Sequence, residues 1–236
     1  MLADLRHVFR QLRKAPAFTI TVTVVLGLGI GATTAIFSVV HAVLMHPFPY
    51  KDGNKILFVG SNRVDQPGSQ MPVTYPDYLD WRKQIQSVDH LAFASGTAAT
   101  LTGVDEPAVL RQGGVSAPVW SLLDIAPVLG RVFTDAEDNP AASPVAVLSH
   151  ATWQKRFGGA ADVLGRPITL DGKAYTIIGV MPPSFKFWAA DVWTPVGLQA
   201  DTDIMRSRVM RMDSWVVTRP KAGQTARGVT AELEVV

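Results

Sequence analysis

The amino-acid sequence predicts an α+β protein: an N-terminal transmembrane helix, then a folded body of short strands and helices. Three observations predict it. No Asp, Glu, Lys or Arg occurs from Ala15 to Tyr50, which is the length and polarity of a membrane span and not of a surface helix. Charge is uneven around that stretch: residues 1–16 hold Arg6, Arg10, Arg13 and Lys14 against Asp4 alone, while the rest of the chain holds 18 basic and 19 acidic groups. From Lys51 onward, apolar runs of strand length alternate with capped helical stretches and Gly or Pro turns.

Taken in order, residues 1–16 come first. Leu2, Leu5, Phe9 and Leu12 fall at i, i+3, i+7 and i+10, one helical stripe, with most of the cations elsewhere. Such a helix lies in the membrane interface with its cations near anionic headgroups. It serves either as a coupling helix that touches a cytoplasmic partner, with Leu5, Phe9, Leu12 and Arg13 as its interface, or as a simple topology anchor.

The apolar run covers about 17–45. At about 1.5 Å per residue it makes a helix of about 43 Å, against a hydrocarbon core of about 30 Å, so it crosses with a tilt or a protruding end. Cations precede it, and Pro47 and Pro49 follow it. The positive-inside rule places residues 1–16 in the cytoplasm and the body, 46–236, outside. A cleaved leader is the competing reading. Its apolar region runs about 7–15 residues, and this run is far longer with no small-x-small site after it. Gly27 and Gly31 form a G-x-x-x-G step that Ala35 extends by four, a surface on which a second helix packs closely. Glycine is also frequent in membrane helices generally, so composition alone accounts for it equally well.

In the body, Ile56–Ser61 reads as a strand. Thr74-Tyr-Pro-Asp77 resembles a capping box opening a helix with Tyr78, Trp81, Ile85 and Val88 on one face. Ala98–Thr102 and Ala108–Val115 read as strands joined near Gly103–Pro107, and a short helix spans Ala117–Leu123. Val128–Phe133 and Val145–Leu148 are strands. Ser149 caps a helix stopped by Gly158-Gly159. Pro167–Leu170 and Ala174–Met181 form a hairpin about Asp171-Gly172. Ser214–Arg219 is the last strand and Thr225–Val236 begins a helix carrying Val229, Leu233 and Val236 on one side. That pattern has no stop signal, so a fragment or a truncated reading frame is expected. Val-Leu-Gly-Arg occurs at 128–131 and at 163–166, read as a repeated turn leading into a strand, with Arg131 and Arg166 structural.

Composition excludes several functions. The 236 residues are 47% hydrophobic and 18% charged, below the usual charge of about 25%, and mean hydropathy is +0.17. Disordered and collagen-like chains are excluded. The absence of Cys removes thiolate zinc sites, iron–sulfur clusters, cysteine nucleophiles and disulfides. The pI of about 9.0 comes from the N-terminal block, so no phosphate-neutralising surface is expected on the body and nucleic acid is not a partner. No P-loop and no H-E-x-x-H occur. Asp135, Glu137 and Asp138 lack the spacing of a calcium loop and read as a solvated loop. Ser149-His150 lacks the surrounding Gly-x-Ser-x-Gly of a nucleophile elbow. Trp81 and Trp153 are expected in the core, Trp188 and Trp193 as loop anchors. No catalytic residue, metal or cofactor is expected, and the chain is read as not an enzyme.

The order of these features resembles a known family. Asp4-Leu-Arg, then Arg10-Gln-Leu-Arg-Lys-Ala-Pro-Ala-Phe18 and Leu28-Gly-Ile-Gly-Ala-Thr-Thr-Ala-Ile-Phe-Ser-Val-Val40, are similar to the start of MacB/FtsX-type ABC transporter permeases, in the duplicated orphan permease branch. Tyr75-Pro-Asp-Tyr-Leu-Asp-Trp81-Arg, Val128–Phe133, Val147–Gly158, Leu170-Asp-Gly172 and Ile178-Gly-Val-Met-Pro-Pro183 follow in that branch's order. The resemblance covers nearly the whole chain. It implies a two-lobed MacB-like periplasmic core domain, with a porter-like lobe over about 50–115 and 205–236 and an inserted lobe over about 116–204. It implies an N-terminal portion of a permease in the bacterial inner membrane, single-pass as given, that couples a separate cytoplasmic ATPase mechanically to export or extraction of a substrate. The expected partners are the lipid bilayer, that ATPase and a second copy of the chain as a homodimer. The alternative is a single-pass, membrane-anchored binding or scaffold module without transport activity.

Overall fold

The computed structural model describes residues 14–44, 50, 53–63, 66–104 and 106–234. The chain divides into two units, Met1–Phe48 and Pro49–Val236. The predicted amphipathic segment with Leu5, Phe9, Leu12 and Arg13 lies outside the described residues.

Within the first unit the described residues include the helix α1 (Pro16–Leu44), of 29 residues. It starts on a proline, whose missing N–H costs nothing in a first turn. Its window Pro16–Ser38 is long and apolar enough to cross a membrane. Hydroxyl side chains interrupt that apolar surface, and four of them are satisfied within the helix. Thr19, Thr21, Thr23 and Thr33 donate to the carbonyls of Ala15, Ala17, Thr19 and Gly29 at 3.0, 2.9, 2.8 and 2.8 Å. In hydrocarbon no water would do this, so the i−4 bond is the arrangement a lipid-facing threonine needs.

The second unit is a mixed α+β domain. In chain order it holds β1 (Leu57–Val59), β2 (Ser61–Arg63), β3 (Gln66–Met71), α2 (Tyr75–Gln84), β4 (Val88–Thr102), β5 (Ala108–Val115), α3 (Pro118–Leu123), β6 (Leu129–Gly130) and β7 (Val145–Leu148). It continues with α4 (His150–Phe157), β8 (Pro167–Leu170), β9 (Lys173–Val180), β10 (Val192–Pro195), α5 (Asp203–Arg206), β11 (Ser214–Pro220) and α6 (Ala226–Leu233). The main sheet runs β1-β11-β4-β5-β10-β7-β9-β6, with β8 joining β4 to β9, and β2–β3 form a separate hairpin. β5 with β10 and β7 with β9 are parallel; the other pairs are antiparallel.

β4 is long enough to serve two cores. Its first half gives Val88, Leu91 and Phe93 to a core with Tyr75 and Tyr78 of α2, Met205 of α5 and Val229 and Leu233 of α6. Its second half gives Ala99 and Leu101 to a core with Leu148, Ile168, Tyr175, Ile177 and Val192. In α6 the i, i+4 pair Val229 and Leu233 is buried, worth about 1.5–3 kcal/mol per side chain.

Local signals hold where they are strongest. Thr74, Ser149 and Thr225 cap their helices by accepting from the N–H of Asp77, Thr152 and Gly228. Asp171 and Gly172 turn the β8–β9 hairpin with φ of 48° and 80°, and Gly158 ends α4 in the left-handed region. Several elements differ from expectation. The Thr74 capping box is only half made, because the Asp77 carboxylate binds Arg208 at 2.7 Å instead. α2 stops one residue before Ile85, whose N–H closes the helix on the Trp81 carbonyl, so Val88 opens β4 and is not on the helix. The strand predicted over Ile56–Ser61 breaks at Gly60, where a Cβ would lie 2.8 Å from the Trp215 ring. The strand predicted over Val128–Phe133 is only Leu129–Gly130. Finally, no sequence pattern predicts β10, and Trp193, expected in a loop, is a fully buried residue of that strand.

Both Val-Leu-Gly-Arg copies dock on β9. Gly130 has φ +70° and Gly165 φ +80°; Arg131 N–H donates to Ile178 O at 2.9 Å and Gly165 N–H to Ile177 O at 2.8 Å. Arg131 pairs with Glu137 at 2.7 Å and Arg166 pairs with Asp162, so both arginines hold turns.

Candidate functional site

The acidic segment at 135–138 is not a solvated loop; each carboxylate has a separate structural task. Asp135 pairs with Arg82 at 3.0 Å on the surface. Glu137 receives both terminal nitrogens of Arg131 at 2.7 and 2.8 Å and the Thr134 N–H at 3.0 Å, completing a capping box. Asp138 receives the N–H groups of Ala117 at 3.0 Å and Gly197 at 2.6 Å, tying the start of α3 to the turn after β10. Burial raises its pKa, against those two donors.

Glu137 sets a pH dependence. The Arg131 hydrogen bonds chiefly hold its carboxyl down from 4.5 to about 2. A folded-state pKa below the unfolded one means stability that is present above pH 4.5 and lost as pH falls toward 2. In thermal melts by circular dichroism, wild type should lose more stability than Glu137→Gln over that window. Parallel curves for the two proteins would contradict the assignment.

Ser149 is committed to structure. Its Oγ accepts from the Thr152 N–H at 3.1 Å and is hydrogen-bonded to the Thr152 hydroxyl at 2.9 Å. The His150 ring packs edge-on to Trp153, centroids 5.4 Å apart. No group of three or more His, Cys, Asp or Glu that could hold a metal occurs among the described residues.

Tyr50, the first described residue of the second unit, is fastened where the domain begins. It is buried, its ring meets Phe185 at 5.8 Å, and the Lys186 main chain hydrogen-bonds its hydroxyl. Burial pushes that hydroxyl up to about 12. Phe185 in turn packs on Trp120, Phe187 and Trp193. The following residues, Trp188 and Ala189, both have positive φ, 58° and 46°, a conformation costing about 1–2 kcal/mol per non-glycine residue. The Trp188 ring stacks on Phe58 and lies over Gly96, where a Cβ would stand 2.5 Å from its indole nitrogen. This loop, with its aromatic support, is not legible as a unit in the sequence; only the density of Phe and Trp between 185 and 193 marks it. Clefts of about 510 and 490 Å³ lie beside it, and Arg111 of β5 lines both.

On α1, Gly27, Gly29 and Gly31 are exposed, and a Cβ at any of them would have nothing within 4 Å. The described part of the helix, Ala35 included, is exposed almost throughout.

A helix long and apolar enough to cross a membrane is followed in the chain by a mixed-sheet α+β domain, in which β4 contributes to two cores. The family model for the MacB-like periplasmic core domain matches residues 19–236, and the chain belongs to that family. Among solved structures it is similar to the periplasmic region of MacB from Actinobacillus actinomycetemcomitans, at 14% identity and TM-score 0.57 over 77% of this chain and 81% of that one. It is also similar to the extracellular domain of the noncanonic ABC-type transporter YknZ from Gram-positive bacteria, at 15% identity and TM-score 0.52 over 75% and 86% of the two chains. A domain of a Porphyromonas gingivalis protein described as a permease superposes with TM-score 0.60 at 14% identity over 79% and 84%. Comparison with curated proteins gave no match.

Proposed function

We propose that the chain is the N-terminal portion of an ABC transporter permease. Its domain is held outside the bacterial inner membrane by α1 and couples a separate cytoplasmic ATPase mechanically to export or extraction of a substrate. The observation that carries this reading is the junction of a charge-free 29-residue helix with a MacB-like periplasmic core domain in one chain. The direction follows from the cations before the helix. The porter-like lobe is assigned to about 50–115 and 205–236 and the inserted lobe to about 116–204. One core draws mainly on the first lobe, while Ala99, Leu101 and Leu110 carry that lobe into the other core, and β5–β10 and β4–β8 pairing would join the lobes.

Because the chain has no Cys, a single introduced thiol reports topology without background. Lys173→Cys, exposed at the β8–β9 turn, should react with a membrane-impermeant maleimide from outside intact spheroplasts. Reaction only after the cytoplasmic side is opened would refute the orientation. Recovery of an ABC ATPase with the full protein from membranes is expected; a protein that purifies without one supports the anchored binding or scaffold module instead.

Gly27, Gly31 and Ala35 are proposed as a helix-packing face for a second copy or a neighbouring helix. Gly31→Leu should weaken association of the chain in detergent about tenfold, because a side chain there holds the backbones apart. The thermal transition of the extracytoplasmic domain should not move. Unchanged association would remove this face from the assembly.

A further inference from the structure

The cleft of about 510 Å³ lies between the first turn of α4 and the loop after β9, and its size falls in the range of about 300–1,000 Å³ typical of small-molecule sites. Its lining divides by chemistry. Pro182, Pro183 and Phe185 are apolar, and Arg111, His150 and Lys186 are cationic or protonatable.

The single carboxylate there, Asp191, is already fully engaged. Its Oδ2 accepts from the Arg111 N–H at 2.9 Å and from Arg111 Nε at 3.3 Å, and its Oδ1 accepts from Arg111 Nη2 at 3.2 Å. Asp191 therefore orients Arg111, whose side chain remains 67% exposed, while Lys186 pairs with no acid among the described residues. The cleft carries net positive charge beside an apolar floor. Its wall is also preset: Tyr50 fixes the main chain at Lys186, and the left-handed pair Trp188–Ala189 carries the chain from there to Asp191. Strained backbone held by packing is a feature of ligand-binding segments.

We propose that this cleft is a binding site for a small organic anion, with a carboxylate-type group at Lys186 and Arg111 and an apolar body against Phe185 and the Pro182–Pro183 pair. A charge-assisted contact to Lys and Arg supplies selection for the anion, and the apolar floor supplies contact area without selecting charge. The site does not depend on the transport reading.

The test uses the full chain in nanodiscs and 3-phenylpropionate as the probe, titrated by saturation-transfer NMR against empty nanodiscs. Saturable binding is expected, with the neutral 3-phenylpropanamide at least tenfold weaker. Lys186→Glu should weaken the carboxylate at least tenfold and leave the melting temperature unchanged, whereas Lys221→Glu, on a different surface, should leave binding as it is. Three results would each overturn the proposal: no saturable binding, equal binding of the amide, or a Lys186→Glu protein that binds like wild type.

Discussion

Replacing Trp193 by alanine should lower the unfolding free energy by about 3–5 kcal/mol, the usual range for emptying a buried tryptophan site. The indole is fully buried. Trp193 sits in β10 between Gly113 of β5 and Val147 of β7. Its ring fills the space left by Gly113, where a Cβ would come within 2.8 Å of Cδ1, and meets Phe185 edge-on at 4.9 Å. Its Nε1 donates to the Phe187 carbonyl at 3.2 Å. Truncation thus opens a cavity, strips a buried carbonyl of its donor and removes the support of the loop that Tyr50 and Phe185 hold. Urea denaturation followed by circular dichroism measures the loss. The half-exposed Trp188 provides the contrast, since Trp188→Ala empties no enclosed space and should cost much less. Equal losses for the two would mean that β10 is not the packing centre described.

Gly179→Ala should cost about 3 kcal/mol, the upper part of the range for overpacking. β9 carries a register shift opposite Ala146 and Val147 of β7, and β6 pairs with it there, Gly130 opposite Gly179. A Cβ on Gly179 would stand 2.1 Å from the Arg131 carbonyl oxygen, and one on Gly130 2.2 Å from the Ile178 carbonyl oxygen. Both obstacles are main chain, so no rotamer change relieves them. Gly228→Ala makes the control. It lies in α6 with only ordinary contacts around its Cβ position and should gain up to about 1 kcal/mol of helix propensity. If Gly179→Ala melted like wild type, the approach of β6 to β9 would be looser than these distances state.

What the sequence reveals follows the range of the interactions. The hairpin at Asp171-Gly172, the caps at Thr74 and Ser149 and the stop at Gly158 depend on residues within one turn of chain, and all are legible. The strand β10 is not. Val-Trp-Thr-Pro is buried at every position, so it shows no alternation, and it ends in a proline. The first half of β4 is hidden because Ile85 and Val88 repeat the spacing of the helix before them. The acids at 135–138 look solvated because Asp138 finds its donors 21 and 59 residues away. Nor do Arg111 and Lys186 mark a common cleft until β5 and the loop after β9 are placed side by side.

By itself the sequence determined the apolar helix, the helix–strand character of the body and most of its turns, because these follow from side-chain polarity, φ preference and capping over a few residues. Only the tertiary structure decided the strand order, the division of β4 between two cores, the tasks of Glu137 and Asp138 and the cation-lined cleft. Those depend on which distant segments come to share a hydrogen bond or exclude water together, and burial, not local preference, selects them.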